Sequence, residues 1–315
     1  MRANHVWGLI LAGGEGTRLR PLTEMLSGDG RPKQFCQFLP GETLLAQTRR
    51  RISGVVPPDQ TLLVLNERHE PFYKTELDGY HPERLIVQPS NRGTLPAILW
   101  SLLQVAQLDS EAVVGVFPCD HYYADESGFL HAVAKAFEVA HDPVVRESII
   151  VLGAPAKGIE TSYGWIEPEP ALLGYSGGIV RHVKRFWEKP APEIAQRLLA
   201  RNCLWNTFVM VGRAEAFLNA IQGAEPGLYR TFESALTGNP PSFPDMAPQY
   251  DQIAPMDFSS QVLSSANKDV FVLPVGEIGW SDLGRPDQVI EIFSLTKRPA
   301  RVDVDMAMRV DTGLK

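Results

Sequence analysis

The stretch Val6-Trp7-Gly8-Leu9-Ile10-Leu11-Ala12-Gly13-Gly14-Glu15-Gly16-Thr17-Arg18-Leu19-Arg20-Pro21 decides the fold. Its apolar half reads as a buried strand, and its second half as a glycine-rich turn carrying arginines, the layout of an anion cradle. Glycines let backbone N–H groups approach phosphate oxygens with no Cβ in the way, and Arg18 adds a planar, permanently charged fork. Two well-known phosphate loops do not fit. A P-loop needs Lys-Ser/Thr after its last glycine, whereas Gly16 is followed by Thr17-Arg18. The dinucleotide fingerprint G-x-G-x-x-G accommodates Gly14 and Gly16 but meets Leu19 at its third glycine, and no acid closes a second strand about twenty residues on. A tight strand exit without a ligand is the plain alternative for a lone motif of this kind.

Outward from this strand, apolar runs alternate with helix-like segments. Strands are expected at 6–12, 61–65, 83–88, 112–117, 148–153 and 270–274, and helices at 44–52, 96–108, 129–140, 193–200 and 213–221. The alternation predicts an α/β fold with a Rossmann-like, doubly wound, mainly parallel mixed sheet flanked by helices. A catalytic domain over 1–295 and a C-terminal tail over 296–315 are expected, the tail serving as an edge strand or an oligomer contact. The Pro/Gly-rich run 238–244 reads as a surface loop.

With 315 residues, 44% of them hydrophobic, the chain can bury a large core. Its net charge is −7, and no basic block is longer than Arg49-Arg50-Arg51, which speaks against nucleic-acid binding. Cys36, Cys119 and Cys203 lie far apart with no C-x-x-C pair, against both a disulfide framework and a zinc knuckle. The apolar run at 6–12 is too short for a signal segment, and none approaches about twenty residues, so a cytoplasmic chain with no membrane partner is expected.

In parallel α/β sheets, ligands sit beyond the carboxyl ends of the strands, so polar residues that follow apolar runs are the candidates. Four places qualify: Gly13–Arg18 with Arg31-Pro32-Lys33-Gln34-Phe35; Phe117-Pro118-Cys119-Asp120-His121; Gly279-Trp280-Ser281-Asp282-Leu283-Gly284; and Arg185-Phe186-Trp187-Glu188-Lys189-Pro190 with Trp205-Asn206 and Tyr163-Gly164-Trp165. Aspartates at strand ends suit Mg²⁺, a hard cation that prefers carboxylate and phosphate oxygens, although a turn-capping aspartate is the bland alternative. Glu188 and Asn206 suit sugar hydroxyls and Lys189 a phosphate, and a surface ion pair is the bland reading of Glu188-Lys189.

Taken together, these motifs resemble the sugar-nucleotidyltransferase family, and most closely its mannose-1-phosphate guanylyltransferases, in order from about Gly8 to Gly284. The reaction this resemblance implies is sugar-1-phosphate plus NTP giving NDP-sugar and pyrophosphate. The attacking phosphate is already anionic at neutral pH, so neither a protein nucleophile nor a general base is required. The resemblance implies nucleotide contacts from Leu11, Ala12, Gly13, Gly14, Gly16, Thr17, Gln88, Gly93 and Thr94, with GTP and mannose-1-phosphate as substrates. It implies that Arg18 stabilises the leaving pyrophosphate, that Lys33 holds the α-phosphate, and that Asp120 and Asp282 bind Mg²⁺. Gly164, Glu188 and Asn206 match the sugar pocket, and Lys189 the group that meets the sugar phosphate. A homodimer is a further expectation of the family.

The chain departs from the guanylyltransferase pattern at Gln88-Pro89-Ser90-Asn91-Arg92-Gly93-Thr94-Leu95-Pro96-Ala97. Gln88 and Gly93 resemble the base-reading positions of thymidylyl- and uridylyltransferases, and a glutamine satisfies several bases by choosing its amide orientation. The segment between Arg20 and Lys33 reads as a long loop. The chain ends without room for the β-helix or cupin domain of longer relatives, so the transferase reaction alone is expected. The same chemistry with dTTP, UTP or another hexose-1-phosphate is the near alternative. A non-catalytic sensing paralogue is the distant one, weighed against by the presence of Arg18, Lys33, Asp120 and Asp282.

Overall fold

The computed structural model describes residues 5–38, 41–170, 180–236, 249–265 and 269–295. Its spine is a nine-stranded sheet in the order β3-β2-β1-β4-β9-β6-β10-β8-β7. The strands are β1 (Val6–Leu11), β2 (Thr61–Asn66), β3 (Leu85–Gln88), β4 (Val113–Pro118), β6 (Ile149–Pro155), β7 (Gly164–Pro168), β8 (Arg181–Glu188), β9 (Leu204–Arg213) and β10 (Val270–Pro274); β5 (Tyr122–Tyr123) and β11 (Trp280–Ser281) form a separate ribbon. Strands β8 and β9 run against the rest, so the sheet is mixed but mainly parallel, as expected. At the far end β7 returns to pair with the start of β9.

The apolar runs form strands because both faces of the sheet are covered. Along β1, Trp7 and Leu9 enter one core cluster and Val6 and Ile10 the other; Leu62 and Val64 of β2 are likewise divided from Leu63 and Leu65. Helices α4 (Thr94–Leu108), α7 (Ala214–Ala224) and α8 (Pro226–Leu236) cover the first face through Trp100, Phe217 and Phe232. Helices α2 (Leu44–Ile52) and α5 (Glu126–Val139) cover the second through Leu45, Ile52, Phe129, Val133 and Phe137. Thr43 caps α2 by accepting from the Ala46 N–H at 3.0 Å, and Asp125 caps α5 by accepting from the Gly128 N–H at 2.9 Å.

The remaining helices are α1 (Arg20–Ser27), α3 (Glu70–Tyr73), α6 (Pro192–Ala200) and α9 (Pro286–Leu295). Helix α1 corrects the expectation of a long loop after Arg20. Pro21 opens it, Leu22 and Thr23 are its buried residues, and Gly28 stops it in the left-handed region at φ 77°. Two turns with one apolar face were too short to announce themselves by periodicity. The strand expected at 83–88 begins at Leu85, preceded by a 3-10 turn over Pro82–Arg84. The loop expected at 238–244 and the tail at 296–315 lie outside the described residues. All three cysteines are free and buried, and no described helix is long and apolar enough to cross a membrane.

Candidate active site

A cleft of about 370 Å³ opens across the ends of β1, β3 and β4 and reaches the β7–β8–β9 region. Leu11, Gly13, Gly14, Gln88, Gly93, Thr94, Asp120, Gly164, Glu188, Lys189, Asn206 and Asp282 line it, so most of the residues singled out in the sequence meet in one place. Ala12, Gly16, Thr17, Arg18 and Lys33 are not on its wall. Ala12 is buried, its N–H donating to the Val64 carbonyl at 2.8 Å. Gly16 takes φ 59° and packs near Lys33. Thr17 and Arg18 lie on a 3-10 turn, and Arg18, which is exposed, makes no hydrogen bond or ion pair among the described residues.

The glycine loop is held open by Gln34, which the sequence offered only as a neighbour of Lys33. Its buried amide nitrogen donates to the carbonyls of Ala12 at 2.9 Å and Gly14 at 2.8 Å. Those carbonyls are thereby turned into the protein by a fixed partner.

The two acids are brought together by the small ribbon. Antiparallel pairing sets Ser281 opposite Tyr122 and Trp280 opposite Tyr123, so the residues before Tyr122 and after Ser281 meet at the same end. Lys33 bridges them. Its Nζ lies 3.3 Å from Asp120 Oδ2 and donates to the carbonyls of Asp282 at 2.6 Å and Leu283 at 3.1 Å. Leu283 is held at φ 49°, a left-handed conformation unusual for a branched side chain, which turns its carbonyl into this cluster. Asp282 Oδ1 accepts from the Tyr163 hydroxyl at 2.8 Å and from the Gly284 N–H at 2.9 Å. Gln288 Nε2 in turn donates to that hydroxyl at 2.6 Å, so the Tyr163 proton points at Asp282. Asp282 is therefore both the turn former of the bland reading and a wall of the cleft.

Burial raises the Asp120 carboxyl pKa, but the Lys33 ammonium beside it outweighs burial, and the net shift is downward. Burial lowers His121 despite the neighbouring Asp120 charge, so this imidazole, which accepts from Trp280 Nε1 at 3.2 Å, is held neutral. Among the described residues no group of three or more His, Cys, Asp or Glu side chains is placed to hold a metal. Asp120 and Asp282 nevertheless fit Mg²⁺, which takes one or two carboxylates and completes its shell with water and substrate phosphates.

Strand register assembles the other end. Gly164 of β7 pairs with Glu188 of β8, and Trp165 with Trp205 of β9, which sets Asn206 beside Gly164. A Cβ on Gly164 would lie 2.8 Å from the Phe186 ring and 3.2 Å from Glu188 Oε2, so only glycine leaves that carboxylate room. Burial raises Glu188 above the ordinary carboxylate range, with Lys189, 3.3 Å away, opposing the shift. Asn206 spends its oxygen on the Phe208 N–H at 3.0 Å and lines the cleft with the rest of its amide. The Glu188–Lys189 ion pair exists, and both members face the cleft.

Sequence reasoning missed the segment Tyr250–Ser259, which covers the Gln88–Leu95 strap. The Tyr250 hydroxyl donates to Gln88 Oε1 at 2.7 Å, Ser90 Oγ to Asp251 at 2.6 Å, and the Phe258 N–H to Thr94 Oγ1 at 2.8 Å. Backbone bonds join Met256 N to Arg92 O at 2.9 Å and Leu95 N to Met256 O at 3.0 Å. Gly93, at φ 84°, has a main-chain reason to be glycine, since a Cβ there would lie 2.3 Å from the Met256 carbonyl oxygen. The rotating amide expected of Gln88 is also corrected. It is buried, with Nε2 donating to the Leu65 carbonyl at 3.2 Å and Oε1 taken by Tyr250.

The model of the family described as nucleotidyl transferase matches residues 7–298. The chain belongs to this family. Over 303 residues it is 28% identical to "Mannose-1-phosphate guanylyltransferase ManC" of Salmonella typhimurium and 27% identical to "Mannose-1-phosphate guanylyltransferase" of Escherichia coli K12, in each case over 94% of this chain. It spans only 61% of the length of either relative. Among solved structures, one described as a mannose-1-phosphate geranyltransferase from Thermus thermophilus superposes with a TM-score of 0.79 at 27% identity, over 92% of this chain and 79% of the other. A UDP-glucose pyrophosphorylase complexed with UDP-glucose shares the fold alone, at a TM-score of 0.59 and 15% identity, over 93% of this chain and 100% of the other. The expected α/β fold with a mainly parallel mixed sheet is thus the observed one, and it is shared with these nucleotide-diphospho-sugar transferases.

Proposed function

We propose that this nucleotidyl transferase chain moves a guanylyl group from GTP to mannose-1-phosphate in a Mg²⁺-dependent reaction, releasing pyrophosphate and GDP-mannose. The observation that carries the reading is one cleft lined by the glycine loop, two acids tied to Lys33, and the Gly164–Glu188–Asn206 cluster. The relatives described above bear guanylyltransferase names and support this substrate pair.

The chain's residues have the parts an in-line phosphoryl displacement needs, which are alignment and neutralisation of charge. The N–H groups of Gly13 and Gly14 face the nucleotide phosphates. Lys33, released from Asp120 as phosphate enters, supplies its charge to the α-phosphate, and Arg18, with no partner to give up among the described residues, is available to the departing pyrophosphate. Glu188 and Asn206 accept from and donate to sugar hydroxyls, and Lys189 meets the sugar phosphate. Asp120 and Asp282 would hold Mg²⁺, which would supply neutralisation of the phosphate charge. The sugar phosphate oxygen attacks the α-phosphorus, and the bond to the bridging oxygen of pyrophosphate breaks.

A second reading keeps the chemistry and changes the base to uracil or thymine, supported by Gln88 and Gly93, which line the cleft and resemble the base-reading positions of uridylyl- and thymidylyltransferases. The deciding experiment is pyrophosphate release with Mg²⁺ and mannose-1-phosphate against GTP, ATP, dTTP, UTP and CTP, repeated with glucose-1-phosphate. Release with GTP and mannose-1-phosphate is expected. Release with another pair moves the substrate, and silence from every pair in folded protein that still binds a nucleotide sugar refutes catalysis.

A further inference from the structure

Gln88 has two ways to present its carboxamide to a ligand, and the surrounding groups permit one. The Leu65 carbonyl can only accept a hydrogen bond, so the group 3.2 Å from it must be the amide nitrogen. The opposite end must then be the oxygen, and it accepts the Tyr250 proton at 2.7 Å. Burial raises the Tyr250 pKa, which keeps that hydroxyl protonated as a donor. The Tyr250 ring is fully buried and stands edge-on to Phe232, with centroids 6.1 Å apart. Gly13 closes the remaining side, since a Cβ there would lie 2.7 Å from Gln88 Nε2. The hydroxyl thus sits on a rigid support and is tied across 162 residues of chain to the strap it orients.

We propose that Tyr250 is a positioning residue for base specificity. By fixing the Gln88 amide it presents the cleft with one N–H and one oxygen lone pair in a set order, which selects keto bases over amino bases. This rests on the reading of Gln88 as a base contact. Guanine and uracil carry a ring N–H beside a carbonyl, whereas adenine and cytosine carry a bare ring nitrogen beside an amino group at the same positions. In one pose the two edges are reversals of each other. A rotating glutamine would serve both, and a locked one sets donor against donor or acceptor against acceptor for the wrong class.

The test measures kcat/KM for GTP, ATP, UTP and CTP in wild type, Tyr250→Phe and Gln88→Ala, with a thermal melt of each. Wild type is expected to favour GTP over ATP at least a hundredfold. Tyr250→Phe should lower that ratio at least fivefold through the KM values, with kcat for GTP held within threefold. Equal losses for all nucleotides, or an unchanged ratio, overturn the proposal. An unchanged ratio in Gln88→Ala would instead sink the base-contact reading itself, and a collapse in Gln88→Ala without one in Tyr250→Phe removes only the lock. A measurement on wild type alone guards against misfolded variants. Inosine triphosphate, which keeps the N–H and carbonyl edge, should be used within tenfold of GTP, and 2,6-diaminopurine riboside triphosphate, which reverses it, should not; equal use of the two overturns the proposal.

Discussion

Replacing Gly93 with alanine tests whether the strap conformation, rather than any ligand contact, dictates the residue. Gly93 sits at φ 84°, ψ −176°, a region essentially reserved for glycine, where another residue costs about 1–3 kcal/mol. The added Cβ would also lie 2.3 Å from Met256 O and 2.8 Å from Met256 C, and these are backbone atoms with no rotamer to escape into. Relief requires the strap and the Met256 turn to separate, which loses the Met256 N–Arg92 O and Leu95 N–Met256 O bonds. Two such bonds contribute about 0.5–1.5 kcal/mol each, so the total destabilisation is about 2–6 kcal/mol. Denaturant unfolding of Gly93→Ala should show a lower midpoint, and the nucleotide KM should rise because Gln88 moves with the strap. Gly14→Ala is the internal control. No atom lies within 4 Å of its added Cβ and its φ is not positive, so stability should change by less than about 0.5 kcal/mol. A Gly93→Ala protein as stable as wild type, or a Gly14→Ala protein as unstable as Gly93→Ala, refutes the reasoning.

Asp120→Asn and Asp282→Asn should each lower kcat by about 10²–10³ while leaving the far-UV spectrum intact, and chelation of wild type should stop turnover until Mg²⁺ is restored. Tyr163→Phe removes one donor from Asp282 without touching the cleft's charge, and the Mg²⁺ concentration for half-maximal rate should rise about tenfold or more; an unmoved metal requirement argues that the Gly284 N–H alone suffices. Glu188 has a folded pKa raised by burial, so its ionisation opposes folding: the favourable protonated state is complete below the unfolded pKa and is lost as pH rises through the folded one. Glu188→Gln should therefore melt higher than wild type at pH 8, with the gap closing as pH falls towards 4, while its KM for the sugar phosphate rises.

The sheet was legible because strands buried on both faces must be apolar throughout. Val6–Leu11 and Val113–Pro118 have this property, and both are too short and too uniformly apolar to be amphipathic helices. The acids and the Gly164–Glu188–Asn206 group were legible for a different cause, since they sit at strand ends where polar residues interrupt apolar runs. Tyr250 and Met256 had no such signal. They follow a Pro/Gly-rich stretch, act through a hydroxyl and a main-chain carbonyl, and meet the strap only after long-range closure. Gln34 was hidden likewise, because its function is carried by hydrogen bonds to backbone carbonyls that exist only once the glycine loop is folded.

The contrast between Gly93 and Gly164 shows why a glycine's position in a motif does not reveal its cause. Both line the cleft and both fall in stretches that resemble substrate-reading motifs. At Gly164 the excluded Cβ would press on Phe186, Glu188 and Asn206, two of which line the cleft where the sugar is proposed to bind, so on that reading the glycine shapes the ligand space. At Gly93 it would strike the main chain of Met256, so the glycine serves the clamp that carries Tyr250 to Gln88. If that division is right, Gly164→Ala should damage sugar-phosphate binding with little loss of stability, because a tilt of the Phe186 ring and of Glu188 can relieve the contact. Gly93→Ala should lose stability first. The order in which the two properties fail, read from melts and KM values on the same preparations, separates a glycine kept for the substrate from one kept for the fold.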